Sequence, residues 1–421
     1  MLDLHAQYLS LKEEIDQAIK KVLEKTDFIQ GEEVGLFAQE LADHVGCRYV
    51  IPCANGTDAL QIALMALELK PGDEVLVPAF TYAASAEVVA LLGLVPVLVD
   101  VDNETFCLNP KQLEKALTLR TRALIPVHLF GSICPMEPIL RFAQEQNLYV
   151  IEDNAQALGA TYTFSDGRKA KSGALGHIGC TSFFPSKNLG CYGDGGAIFT
   201  DDAHLAERLK MIANHGQRTK YKHEAIGCNS RLDTLQAAIL RCKLPHLAEY
   251  GERRCELAHR YTEALQGVEN IIPPQEMPYT THVYHQYTLR VLKGKRDQLR
   301  QYLSEQGIPS IVYYPQPLHH QPAFAHLAHC TQPLTTAEQL SLEVLSLPIY
   351  PEFPLEEQDR VIAAIPKYDT GRNNYILPQR TILAKGSSLH NVGEMPNDGA
   401  ATNGASFVYN GCGVSLIVCC G

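Results

Sequence analysis

Apolar residues recur at helical spacing between positions 9 and 25 (Leu11, Ile15, Ala18, Ile19, Val22), which predicts an amphipathic first helix. From about residue 49 to 200 the pattern alternates. Short apolar runs at 74–77, 96–99, 123–127 and 148–151 predict buried strands, and segments 58–69, 85–92, 110–117 and 136–146 between them predict helices. Such alternation implies an α/β fold with a mostly parallel sheet and helices on both faces. Residues 190–196 form a glycine-rich turn between two further strands. After residue 201 the pattern turns helical, with a long run from 233 to about 265 interrupted at Pro245. From residue 282 the order is strand (283–291), helix (296–305), strand (310–313), a proline-marked loop, and helices around 336–345 and 355–365. The expected organisation is a large α/β domain over 1–245 and a smaller C-terminal α+β domain over 246–367. Residues 368–421, rich in Gly, Asn and Ser and low in charge, form an extension with no sustained period and no function attached to it.

Composition narrows the classes. The 421 residues suffice for a large core, and the apolar and charged fractions are those of an ordinary globular protein. A formal net charge of −11 argues against a general nucleic-acid binder, while leaving room for one anionic ligand held by local donors. The first residues lack a basic stretch followed by an apolar run, and no run of ~18 apolar residues occurs, so neither a secretion signal nor a membrane span is expected. Thirteen cysteines stand mostly alone in apolar surroundings, without a C-x-x-C pair. They read as reduced, buried thiols of a cytoplasmic protein, not as a zinc site. Cys419-Cys420 is not placed for prenylation.

Three segments carry candidate chemistry. Thr181-Ser182-Phe183-Phe184-Pro185-Ser186-Lys187-Asn188-Leu189-Gly190 sets a lysine on a tight turn after an apolar strand, where desolvation would leave a neutral amine able to attack a carbonyl. Val150-Ile151-Glu152-Asp153-Asn154-Ala155-Gln156 ends a strand in carboxylates at the edge where α/β sheets bind ligands; an aspartate there could pair with a protonated ring nitrogen. Cys53-Ala54-Asn55-Gly56-Thr57-Asp58 is a small-residue turn opening a helix, suited to a phosphate. Taken singly, each has a plainer reading: a lysine lying over a loop, an aspartate capping the next helix, an ordinary N-cap by Thr57 or Asn55. A phosphorylated pyridine aldehyde needs all three at once. A nicotinamide dehydrogenase is disfavoured, because no Gly-x-Gly-x-x-Gly follows the first strand.

These segments, in this order, resemble the DegT/DnrJ/EryC1/StrS sugar aminotransferases over residues 2–367. Within that family, 53–60, 181–200 and 229–240 are most similar to the UDP-2-acetamido-2-deoxy-3-oxo-glucuronate aminotransferases of surface polysaccharide and O-antigen synthesis. The resemblance implies fold type I of the pyridoxal-phosphate (PLP) transferases, aspartate-aminotransferase-like, and a homodimer. It also implies amination of a keto-hexose carried on a nucleotide, with glutamate as donor. Lys187 would be the Schiff-base lysine and proton shuttle, Asp153 the partner of the pyridinium nitrogen, and Gln156 a neighbour of the phenolic oxygen. Gly56, Thr57 and Ser182 would hold the phosphate, Tyr82 would stack on the ring, and Asn229 would reach the phosphate of the partner subunit. The alternatives are a carbon-4 aminotransferase acting on a 4-keto-6-deoxy sugar and a non-catalytic, cofactor-binding regulator. Lysine at 187, where dehydratases of the family carry histidine, favours transamination. Tyr313-Tyr314-Pro315 stands where His-Tyr-Pro is common, in a substrate-facing loop, and His177 replaces a frequent aspartate. Neither His177 nor His319-His320 has a carboxylate or cysteine at ligand spacing in the sequence, so no metal site is expected.

Overall fold

A computed structural model describes residues 2–369 and two short strands, Val408–Asn410 and Val414–Leu416. These two strands pair antiparallel, Val408 opposite Leu416, as a unit of their own. The remainder of the expected 368–421 extension lies outside the described residues.

One large sheet contains β1 (Tyr49–Cys53), β2 (Glu74–Pro78), β3 (Val95–Val99), β4 (Thr121–Leu124), β5 (Tyr149–Asp153), β6 (Ile178–Ser182) and β7 (Gly196–Thr200). Their spatial order is β1-β7-β6-β5-β4-β2-β3, with His329–Cys330 adding a parallel edge beside β3. The pairs from β3 through β6 are parallel; β7 runs antiparallel to both β6 and β1. Strands β2 and β7 are buried along their whole length, as strands covered on both faces must be. Helices fill the crossovers, among them Gly56–Ala66, Ala84–Leu91 and Met136–Glu145. Asn55 starts the first of these: its side-chain oxygen accepts from Asp58 N at 2.8 Å.

A second, antiparallel sheet joins Ile271–Ile272, Tyr287–Val291 and Val344–Leu347, and has its own apolar cluster around Leu257, Tyr261, Leu289, Leu299 and Ile365. The helical run expected from 233 is Thr234–Lys243, a 3-10 turn containing Pro245, and Leu247–Leu265. Helix Arg296–Glu305 has the bounds its periodicity predicts.

Other segments depart from expectation. The first helix starts earlier, at Leu4, and breaks at Leu11 into Leu4–Ser10 and Lys12–Lys25. The strand expected at 283–291 begins only at Tyr287, because Val283 N and Gln286 N are drawn to the carbonyls of Gly131 and Phe130 and Tyr284 turns to φ 42°. Residues 310–313 form no strand, only a bridge between Ile311 and Ser346. The helix expected at 336–345 stops at Glu343, since Val344 and Leu345 are recruited as strand partners of Arg290 and Leu289.

Helix Leu4–Ser10 is tied to the glycine-rich turn. Lys243 is 1% exposed; its ammonium donates to Gln7 Oε1 at 3.0 Å and to the Gly190 carbonyl at 2.8 Å, and lies 4.2 Å from the centre of the Tyr192 ring. Burial pushes it down to about 8. All described cysteines are free thiols, most of them buried. No described helix is long and apolar enough to cross a membrane.

Candidate active site

The exits of β1, β5 and β6 converge. Helix Gly56–Ala66 begins directly after β1, and a Cβ at Gly56 would stand 2.7 Å from Ser182 Cβ at the end of β6. Only glycine permits this approach, which forms a shallow cup between a helix start and a strand end. The helix leaves the N–H groups of Gly56 and Thr57 unused, and the Thr57 hydroxyl bonds to no described residue. Ser182 Oγ accepts from Phe184 N at 3.2 Å, so its own proton is available. These are the donors an anionic phosphate requires.

Asp153, at the last position of β5, is 8% exposed. Its Oδ2 accepts from Ser85 Oγ at 2.8 Å and its Oδ1 from Ala155 N at 3.2 Å. Lys187 lies on the turn after β6, its backbone N–H bonded to the Phe184 carbonyl at 2.8 Å. Among the described residues its ammonium has no hydrogen bond or ion pair. Desolvation pushes it down to about 8, against an opposing pull from Asp153, whose charge it therefore senses. An amine of that kind is a competent nucleophile near neutral pH.

Gln156 connects the site to the loop between helix Arg296–Glu305 and the 3-10 turn Leu318–His320. Its Oε1 accepts from Phe130 N at 2.7 Å, and its Nε2 donates to the Tyr314 hydroxyl at 3.2 Å. The Tyr314 ring centre lies 6.2 Å from that of Tyr82, 6.0 Å from Phe80 and 6.0 Å from Tyr313. Burial raises the Tyr314 phenol well above its ordinary range, with Asp153, Tyr313 and Tyr82 adding to the shift. Tyr82 itself is 48% exposed. Asn229 is exposed and bridges through its backbone to Asn214; no hydrogen bond ties it to Gly56, Thr57 or Ser182. Its neighbour Ser230 is buried and accepts from Ala54 N at 3.0 Å, which puts the segment beside the end of β1.

Three further residues support the site, and two of them, Ser85 and His285, have no cue in the sequence. Ser85 braces Asp153 from 68 residues away. His285 pairs through Nδ1 with Asn188 Oδ1 at 3.0 Å, and Asn188 donates to the Val283 carbonyl at 3.4 Å. Burial, with Lys187 and Arg254 nearby, keeps His285 neutral. Asn188 directly follows Lys187 and could have been suspected; His285 has no local cue. Beneath Asp153, the fully buried Glu152 accepts from Gly173 N, Leu175 N and Gly176 N at 2.9, 2.7 and 2.6 Å, and pairs with His128 Nε2 at 2.8 Å. His128 N in turn donates to the Asp153 carbonyl at 3.0 Å. A carboxylate so fully bonded fixes the exit of β5.

Two histidines make contacts that only the fold reveals. His177 Nδ1 accepts from Val150 N at 3.0 Å at the start of β5. His319-His320, without a carboxylate near in sequence, receives one from the fold, since Glu338 Oε1 lies 3.0 Å from His319 Nε2.

The amine, the carboxylate, the exposed Tyr82 and the unused donors at the helix start together suit a phosphorylated pyridine aldehyde. Comparison with known proteins agrees. A profile of the DegT/DnrJ/EryC1/StrS aminotransferase family matches residues 9–366. A "pleiotropic regulatory protein" of Geobacillus stearothermophilus is 45% identical over 87% of this chain and 98% of its own. The UDP-N-acetyl-3-dehydro-alpha-D-glucosamine 3-aminotransferase of Acidithiobacillus ferrooxidans is 44% identical (87% and 96%). The UDP-2-acetamido-2-deoxy-3-oxo-D-glucuronate aminotransferase of Pseudomonas aeruginosa is 46% identical (83% and 94%). Among solved structures, a DegT DnrJ EryC1 StrS aminotransferase from Brucella abortus superposes with a TM-score of 0.83 at 42% identity (87% and 98%). NtdA from Bacillus subtilis, with bound cofactor PMP, does so with 0.79 at 34% (86% and 82%).

Proposed function

Because the chain belongs to the DegT/DnrJ/EryC1/StrS aminotransferase family, it is a PLP-dependent aminotransferase of sugar nucleotides, and we propose that its substrate is a UDP-linked hexose with a ketone at carbon 3, of the 3-keto-N-acetylglucosaminuronate type. Its fold is that of the type I PLP transferases. The observation that carries the reaction class is the desolvated Lys187 amine under the influence of Asp153. The sugar rests on the Acidithiobacillus and Pseudomonas relatives, both named for UDP-linked 3-keto sugars. Glutamate is the proposed donor, surface polysaccharide synthesis the proposed purpose, and a homodimer with a shared site the proposed assembly. Residues 1–245 and 246–367 are its proposed domains.

In this reading Gly56, Thr57 and Ser182 bind the cofactor phosphate, and Asp153, braced by Ser85, holds positive charge on the ring nitrogen. Tyr82 covers the ring face and Gln156 borders its phenolic oxygen. PLP, when bound, supplies an electrophilic carbon and an electron-accepting ring. Lys187 Nζ, partly unprotonated at neutral pH, would attack the cofactor's carbonyl carbon, its oxygen leaving as water, and, when free, would move a proton from one carbon to another. Tyr313 and Tyr314 face the sugar. The Geobacillus relative's name favours a regulator instead, but a regulator has no use for a desolvated amine beside a braced carboxylate.

The test is incubation of the holoenzyme with glutamate and a panel of UDP- and dTDP-linked 3-keto and 4-keto sugars, followed by mass analysis. Exchange of ketone oxygen for an amino group in the UDP-3-keto arm is expected. Amination confined to a 4-keto arm would move the ketone, and a coloured protein inert in every arm would favour the regulator.

A further inference from the structure

Just past the loop that carries Tyr313 and Tyr314, the fold assembles a second set of donor groups. His319 and His320 are consecutive on a 3-10 turn, Leu318–His320, and Glu338 lies on helix Thr335–Glu343. Their ligand atoms all lie within 4.8 Å of one another. We propose that His319, His320 and Glu338 bind a divalent transition metal, zinc(II) foremost.

Both imidazoles address the same carboxylate oxygen. His319 Nε2 stands 3.0 Å from Glu338 Oε1, within hydrogen-bond reach, while His320 Nε2 stands 3.6 Å from it, beyond that reach. A carboxylate–histidine hydrogen bond explains the first contact and leaves the second unexplained. A cation between the three explains both. Bonds of 2.0–2.2 Å in a tetrahedral zinc site imply donor–donor separations of roughly 3.3 Å, close to the 3.0 and 3.6 Å of the two histidine–carboxylate pairs. The His320 side chain is 53% exposed and free to close the remaining gap.

The supports on both sides are fixed before any ion arrives. The turn is anchored by Leu318 N to the Ala79 carbonyl at 2.9 Å and closed by His320 N to the Pro317 carbonyl at 3.0 Å. The helix start is anchored by Thr336 N and Ala337 N, which donate to the Asp100 carboxylate at 3.0 and 2.9 Å. Little backbone order remains to be lost on binding, which favours affinity. Two imidazoles and one carboxylate match zinc, nickel or copper, whereas magnesium and calcium demand oxygen donors. Three protein ligands leave a fourth position to water. An ion here would clamp the end of the loop that carries Tyr313 and Tyr314 to helix Thr335–Glu343.

The experiment is equilibrium dialysis of zinc(II) against chelator-treated holoenzyme, with cobalt(II) absorption and thermal melting as further readouts. One zinc per chain is expected, with a raised melting temperature. Affinity should fall at least about tenfold in His320→Ala and in Glu338→Gln, each checked for native melting and retained cofactor colour. The cobalt spectrum should lack thiolate charge transfer, which separates this site from capture by the exposed Cys330. No zinc on the wild type, binding undiminished in both variants, or a thiolate-type cobalt spectrum would each overturn the proposal.

Discussion

Lys187 burdens the fold in proportion to its usefulness. Its amine is held at about 8 against an ordinary 10.5. Below pH 8 both folded and unfolded chains carry the proton, and the penalty of burying the charge is full. Between the two values the unfolded chain keeps the proton that the folded chain has given up, so stability from this group rises with pH and levels off above 10.5. Cofactor-free Lys187→Met should therefore melt higher than cofactor-free wild type at pH 7. That advantage should shrink from pH 8 upward and vanish near 10.5; a gap independent of pH, followed by calorimetry, would show that the amine is not desolvated. At this scale the sequence was readable where a residue sits on a strand exit or a turn, as Lys187, Asp153 and Gly56 do. It was silent on Ser85 and His285, whose partners lie 68 and 97 residues away and meet them only through tertiary packing.

The meeting of a helix start with a strand end makes Gly56 the most sensitive position of the proposed phosphate site. A methyl group there would stand 2.7 Å from Ser182 Cβ and 3.3 Å from Ser182 Cα, so β6 or the helix must shift. Overpacking of this kind costs about 1–3 kcal/mol. Gly56→Ala should weaken PLP retention about tenfold or more, measured by loss of cofactor absorbance on dilution; unchanged retention would place the phosphate elsewhere. Elements with a full amphipathic period, such as Arg296–Glu305, were legible from their own residues. Elements decided by partners were not. Val344-Leu345 continues a helical pattern yet joins a sheet, because Arg290 and Leu289 lie beside it. Residues 310–313 have strand composition but pair only at Ile311.

Between subunits, the shared-site proposal makes a sharp forecast. Asn229→Ala should lose activity through poor cofactor retention, and Lys187→Ala through chemistry. If Asn229 serves its neighbour's phosphate, mixed dimers of the two variants contain one intact site and regain activity. A mixture as inactive as its components would confine each site to one chain. The α/β architecture was visible in the sequence because strand–helix alternation is local. The closure of the site was not, since it depends on a Gln156–Tyr314 contact spanning 158 residues.

Lys243 gives the amino-terminal helix leverage over a centre it never touches. Fraying of residues 4–10, or a proteolytic nick there, would leave a buried ammonium with the Gly190 carbonyl as its one hydrogen-bond acceptor among the described residues, beside the Tyr192 ring. The turn that follows Lys187 would loosen in consequence, and trimming at the chain's start would be felt first as leakage of cofactor.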